Sequence, residues 1–205
     1  MRYISLALFL MTTLIFEAPA AQAVPLTFVG PLNSAEENNP ADTSTATGLA
    51  TIILDPAAQT IQINATFSGL TSNDVAAHIH CCMPLGTNAG VATTVPAFPG
   101  FPLGVTSGAY TSVVFDLTQT TIYNPAFVNL QGGLPQAEAA LINGIENGLT
   151  YFNIHTGTFP GGEIRAQLFP APELFPAPEP SSLVLLGSAL LGLGLARWRK
   201  IATRS

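Results

Sequence analysis

The stretch 60–67 alternates strictly between two chemistries, and no other feature narrows the possible folds so far. Ile61, Ile63, Ala65 and Phe67 would share one face of an extended chain, and Thr60, Gln62, Asn64 and Thr66 the other. Successive side chains of a strand point to opposite sides, so this is a strand with one face in a core and one against water. The preceding run 49–54 is apolar and β-branched, and Asp55-Pro56-Ala57-Ala58-Gln59 joins the two as a short hairpin connection. Further strands are expected at 26–31, 75–81, 110–117, 149–155 and 163–169, with Gly and Pro punctuating the gaps. One helix is expected: Pro135 suits its first turn, Ala137, Leu141 and Ile145 recur at i, i+4 and i+8 with Ile142 beside them, and Gly148 suits the residue after its end. Gly144 inside it costs about 1 kcal/mol of helix propensity. The segment 83–104, rich in Gly, Pro and Thr, reads as an ordered surface loop. These elements make an all-β sandwich or barrel of about seven strands with one short crossover helix.

Charge is distributed as unevenly as hydropathy. Of the six basic residues, Arg2 lies at one end, and Arg197, Arg199, Lys200 and Arg204 at the other. Between Val24 and Pro170 a single cation, Arg165, faces nine acids, a net charge of −8. Nucleic-acid binding needs clustered Lys and Arg to neutralise phosphates and is excluded by this balance.

The two ends read as addresses. Arg2, the thirteen-residue apolar stretch 4–16 and the small-x-small triplet Ala21-Gln22-Ala23 form a secretory signal peptide over 1–23. Thirteen apolar residues are too few to span a bilayer roughly 30 Å thick. The β domain then occupies 24–170 and a Pro-rich linker 171–177, extended and stiff. Pro178-Glu179-Pro180 follows, then an uncharged apolar helix over 182–196, then Arg197-Trp198-Arg199-Lys200. Such a helix is about 22 Å long, and its basic end is expected to stay cytoplasmic. The order of motif, Gly-interrupted helix and basic end over 178–201 resembles the PEP-CTERM sorting signal of Gram-negative, exopolysaccharide-producing bacteria. The resemblance implies transient residence in the inner membrane, cleavage by an exosortase-type membrane protease, and delivery to the cell surface or extracellular matrix.

All three histidines fall in two short motifs. His78 and His80 stand at i and i+2 in Ala76-Ala77-His78-Ile79-His80-Cys81-Cys82 and share a strand face. His155 shares a face with Tyr151 and Asn153 in the next motif, and the turn 156–162 brings it back toward Glu163 and Arg165. An early strand containing Phe28, the acidic pair Glu36-Glu37, Gly48, the tetrapeptide 77–80, Tyr-Phe-Asn-Ile-His-Thr at 151–156 and Phe-Pro-Gly-Gly-Glu-Ile-Arg-Ala-Gln-Leu at 159–168 together resemble the CHRD domain, named after chordin. The resemblance implies an immunoglobulin-like or barrel-like fold in an extracellular setting. The chain departs from it after His80, where Cys81-Cys82-Met83-Pro84 stands in place of a glycine-rich stretch.

Three readings of the histidines stay open. His78, His80 and His155 could hold Cu or Zn with an open position, an arrangement similar to that of Cu/Zn superoxide dismutase. They could instead join Asn153, Glu163 and Arg165 in a structural polar network, in which Glu163 or an acid across the sheet partners the arginine. Or the polar face could recognise a ligand such as exopolysaccharide or another matrix component. Cys81 and Cys82 in an oxidising compartment favour a vicinal disulfide, against thiolate ligation, free thiols or bonds between chains. No GxSxG elbow, HExxH or phosphate-binding glycine loop is present, so a non-enzymatic binding or structural module is the leading expectation and a Cu or Zn redox protein the alternative.

Overall fold

The computed structural model describes residues 24–39 and 41–172. The expected signal peptide, residues 173–177 of the linker and the sorting tail, with Pro178, Glu179, Pro180, Arg197, Arg199 and Lys200, lie outside the described residues. Among those described, no helix is long and apolar enough to cross a membrane.

The domain is all-β, as expected, with ten strands in one antiparallel sheet curled into a half-barrel. Its strands are β1 (Leu26–Asn33), β2 (Thr47–Asp55), β3 (Thr60–Ser68), β4 (Asp74–Cys81), β5 (Gly90–Val91), β6 (Gly108–Thr111), β7 (Phe115–Asp116), β8 (Thr150–Thr156), β9 (Ile164–Gln167) and β10 (Phe169–Pro170). Ten replace the expected seven for local reasons: the 110–117 run breaks between β6 and β7, the 163–169 run breaks at Leu168, and Gly90–Val91 pairs within the long loop. Two α-helices replace the one expected. The helix α2 (Leu134–Glu146) was marked by its periodicity. The helix α1 (Pro125–Gln131) is new: Asn124 accepts a hydrogen bond from the Ala126 N–H, Pro125 opens the first turn, and Gly132 closes it at φ +91°.

The β2–β3 hairpin forms as its alternation dictates. Asp55 Oδ1 accepts from the Ala57 and Ala58 N–H groups and closes the turn, and Ile61, Ile63, Ala65 and Phe67 all enter the core. They meet Leu32, Ile52 and Leu54 of the neighbouring strands. Full burial of each Ile, Leu or Phe side chain contributes roughly 1.5–3 kcal/mol.

The chain order in the sheet is β5-β4-β8-β9-β1-β2-β3-β6, with short pairings of β10 to β1 and β7 to β3. After the β1-β2-β3 meander the chain therefore crosses to the other half of the sheet. The β8–β9 hairpin is inserted between β4 and β1 and pairs residue by residue with β4, His78 opposite Asn153 and His80 opposite Tyr151. One face of this half is apolar: Ala77, Ile79 and Cys81 of β4, Phe152 and Ile154 of β8, and Ile164 and Ala166 of β9 are buried in the core with Ala137, Leu141 and Ile145 of α2. Cys81 and Cys82 are joined as a disulfide on this side, both sulfurs near the Ala140 carbonyl of α2.

Gly144 explains its own presence. A Cβ there would lie 2.5 Å from Cys81 Sγ and 3.1 Å from Thr150 Cγ2. Gly144→Ala should therefore lower the thermal midpoint by roughly 3–8 °C, although the same change in an exposed helix would stabilise by about 1 kcal/mol. A variant melting at or above the parent temperature would show that the disulfide does not pack on α2 in this way.

Candidate functional site

Alternation in β4, β8 and β9 puts His78, His80, Tyr151, Asn153, His155, Arg165 and Gln167 on the face opposite the apolar core. In a half-barrel this face would ordinarily meet water, yet all seven residues are buried. Loops cover them, and each loop brings a specific partner. Glu36 Oε2 accepts the Gln167 N–H at 2.8 Å, Glu37 Oε2 meets Arg165 NH2 at 3.0 Å, Asn88 Oδ1 accepts from the same nitrogen at 2.7 Å, and the Gly148 carbonyl accepts from Gln167 Nε2 at 2.6 Å.

The three histidines converge. His78 Nδ1 lies 3.1 Å from His80 Nε2, which lies 3.4 Å from His155 Nε2, and one ring nitrogen from each histidine lies within 4.8 Å of those of the other two. Only 5%, 7% and 7% of His78, His80 and His155 is exposed. The outer nitrogens of two rings are tied to backbone: His80 Nδ1 is 2.8 Å from the Ala89 carbonyl and His155 Nδ1 is 3.0 Å from the Pro160 carbonyl. A carbonyl oxygen only accepts, so both Nδ1 atoms carry hydrogen. Burial, with the neighbouring rings adding to it, pushes His78 down to about 3 and His80 to about 4, and burial lowers His155 as well. The rings are therefore neutral at pH 7, and the Nε2 atoms of His80 and His155 both present lone pairs.

The histidine cluster and Arg165 are held apart by Tyr151. Its ring stacks on His80, centroids 4.7 Å apart and planes 10° from parallel, and Arg165 Cζ lies 3.8 Å from its centroid. Because β8 lies between β4 and β9, the phenol ring separates imidazole from guanidinium. The Ala89 N–H donates to the Tyr151 hydroxyl at 3.0 Å, so the loop that orients His80 also fixes the ring.

Arg165 is paired with Glu37, and not with Glu163. Glu163 is fully buried among hydroxyls: Oε1 accepts from Ser44 Oγ and the Thr71 N–H, both at 2.7 Å, and Oε2 from Thr71 Oγ1 at 3.0 Å and Thr156 Oγ1 at 2.6 Å. These four donors leave no lone pair for the guanidinium. Glu163 therefore holds a second cluster, tying β8 to the turns at 44 and 71. Asn153 lies in register between His78 and Arg165, and its amide makes no hydrogen bond among the described residues. The cysteines do not contribute: Cys81 alternates to the apolar face, away from His80, and thiolate ligation beside the histidines is excluded by its position and by the disulfide. Glu37, Asn88 and Tyr151 complete the site, and of these the alternation of the 151–156 motif marks Tyr151 alone.

A family model described as the CHRD domain matches residues 28–168, and one described as the PEP-CTERM protein-sorting motif matches residues 176–200. No curated protein and no solved structure matches the chain.

Two outcomes are expected from this geometry. Arg165→Met alone leaves Glu37 buried without its counter-ion and should destabilise by about 3–5 kcal/mol, with Arg165→Met/Glu37→Gln recovering much of the loss. Denaturant titration of the three proteins checks this, and a double variant as unstable as the single one would refute the pairing. The second outcome concerns pH. The histidines bind protons in the unfolded chain below about pH 6.5 but resist them when folded. Their stabilisation is complete above that pH and is lost as the pH falls toward 4 and 3. Glu37, which burial pushes up to about 7 despite Arg165, acts oppositely between about 4.5 and 7, and burial raises Asp42 and Asp74 in the same sense, but His78 and His80 together shift further than Glu37. The metal-free protein should therefore have a lower urea midpoint at pH 5 than at pH 7, measured by circular dichroism.

Proposed function

The chain belongs to the CHRD family, and from that premise we propose that it works outside the cell as a non-enzymatic binding or structural module of the surface or matrix of a Gram-negative bacterium. The observation that carries the reading is the order of its parts. The family domain ends at 168, the last described strand at Pro170, and the sorting motif occupies 176–200. Sorting signal and folded domain are thus consecutive in sequence, and the stretches they occupy do not overlap. The motif implies processing by an exosortase-type membrane enzyme. In this reading residues 1–23 direct secretion, Pro178-Glu179-Pro180 with the apolar segment 182–196 and Arg197, Arg199 and Lys200 address the exosortase, and the exported domain associates with exopolysaccharide or other matrix components.

The chemistry of the polar face supports a module over an enzyme. The acids on it or beside it are spent on fixed partners: Glu163 on hydroxyls, Glu37 on Arg165, and Glu36 on the Gln167 amide. A general acid or base needs a titratable group within reach of substrate, whereas Glu163 and the Glu37 side chain are buried and the Glu36 carboxylate is held by the Gln167 N–H. Removal of residues 178–205 should shift the protein from the surface or matrix fraction to the soluble periplasmic one, followed by immunoblotting of cell fractions. An unchanged distribution would contradict sorting by the tail.

A further inference from the structure

We propose that His78 Nδ1, His80 Nε2 and His155 Nε2 are the ligand atoms of a transition-metal site that takes an imidazole-seeking first-row ion, Cu or Zn. The hydrogen bonds of the rings make the case. Because His80 Nδ1 and His155 Nδ1 each donate to a backbone carbonyl, both Nε2 atoms bear lone pairs, and these face each other across 3.4 Å. Neither can donate to the other. His78 can place a hydrogen on Nδ1 and donate to His80 Nε2 at 3.1 Å, but the lone pair of His155 then still has no donor in the cluster. A cation at the centre satisfies all three together.

The spacing fits. Metal–nitrogen bonds of about 2.0–2.1 Å at angles of 90–120° put ligand nitrogens roughly 2.9–3.6 Å apart. The 3.1 and 3.4 Å separations fall within that range, and one nitrogen from each ring lies within 4.8 Å of the other two, so closing the cluster to about 3.6 Å takes only a small ring movement. The Nδ1–H to carbonyl bonds are the outer-shell contacts that fix tautomer and ring direction in metal-ligating histidines. The donor set also narrows the ion. With imidazole alone and no carboxylate or thiolate, it suits copper or zinc and not calcium or magnesium, which take oxygen.

The site gives the binding module a ligand but stands apart from sorting, since metal uptake is read on purified protein wherever the cell delivers it. Full-length protein, exported so that its disulfide forms, is stripped with chelator, offered Zn(II), Cu(II) or both, and desalted. One equivalent should be retained, raising the thermal midpoint, and the competition shows which ion the site prefers. Zinc should shift the 15N resonances of His78 Nδ1, His80 Nε2 and His155 Nε2 and leave the other nitrogen of each ring bound to hydrogen, a readout that needs no variant. His155→Gln and His80→Gln should each weaken retention at least about tenfold. Failure to retain either ion stoichiometrically, retention unchanged in the folded variants, or zinc shifts on other nitrogens would overturn the proposal.

Discussion

Arg165 and Glu37 hold the two halves of this sheet together. β9 meets β1 in a single register pair, Asn33 opposite Arg165, while β1–β2 and β2–β3 are paired over their whole length. The seam would be weak if it relied on backbone alone. Residues just beyond β1 strengthen it: Glu36 captures the Gln167 N–H and Glu37 captures the Arg165 side chain. Glu36 ends and Glu37 follows a short 3-10 turn (Ser34–Glu36) in which Asn33 Oδ1 accepts the Glu36 N–H, so the geometry of that turn aims both carboxylates. A buried ion pair is seldom more stabilising than a well-packed apolar replacement. Its contribution here is positional, since it sets which strand lies beside β1 and therefore where the β8–β9 hairpin and its histidine sit.

The histidine cluster follows from the same arrangement. His78 and His80 come together by strand periodicity alone. His155 joins them only because β8 is hydrogen-bonded to β4, which requires the hairpin to insert between β4 and β1. Loops at 88–89 and 160 then cover the rings and contribute the carbonyls that orient them. The polar face thus behaves as a second interior, with polar partners doing the work that apolar contacts do on the other side.

What could be read from the sequence divides along physical lines. Period-two segments were legible because burial imposes them locally: 60–67 and the shared faces of His78 with His80 and of Tyr151 with Asn153 and His155 needed no tertiary information. The helix at 134–146 was legible from Ala137, Leu141 and Ile145. The partner of Arg165 was not, because Glu37 reaches it from 128 residues away through a loop with no periodic signal. Asn88 and the carbonyls of Ala89 and Pro160 were hidden for the same reason. The helix at 125–131 carried readable punctuation in Asn124-Pro125 and Gly132-Gly133, but with Phe127 its only fully buried side chain it shows no apolar stripe.

The burial of Arg165 also decides how the domain meets its surroundings. The one cationic side chain between Val24 and Pro170 is internal, while Asp55, Asp116, Glu138 and Glu146 stay at least partly in contact with solvent. To anything approaching it the domain presents side-chain charge of one sign. An acidic polysaccharide would be repelled across a Debye length, about 30 Å at 0.01 M salt and about 8 Å at 0.15 M. Dilute media would keep such polymers at a distance, and salt or bridging divalent ions would let them settle, so the ionic strength outside the cell becomes a control on how closely this protein can pack into an anionic matrix.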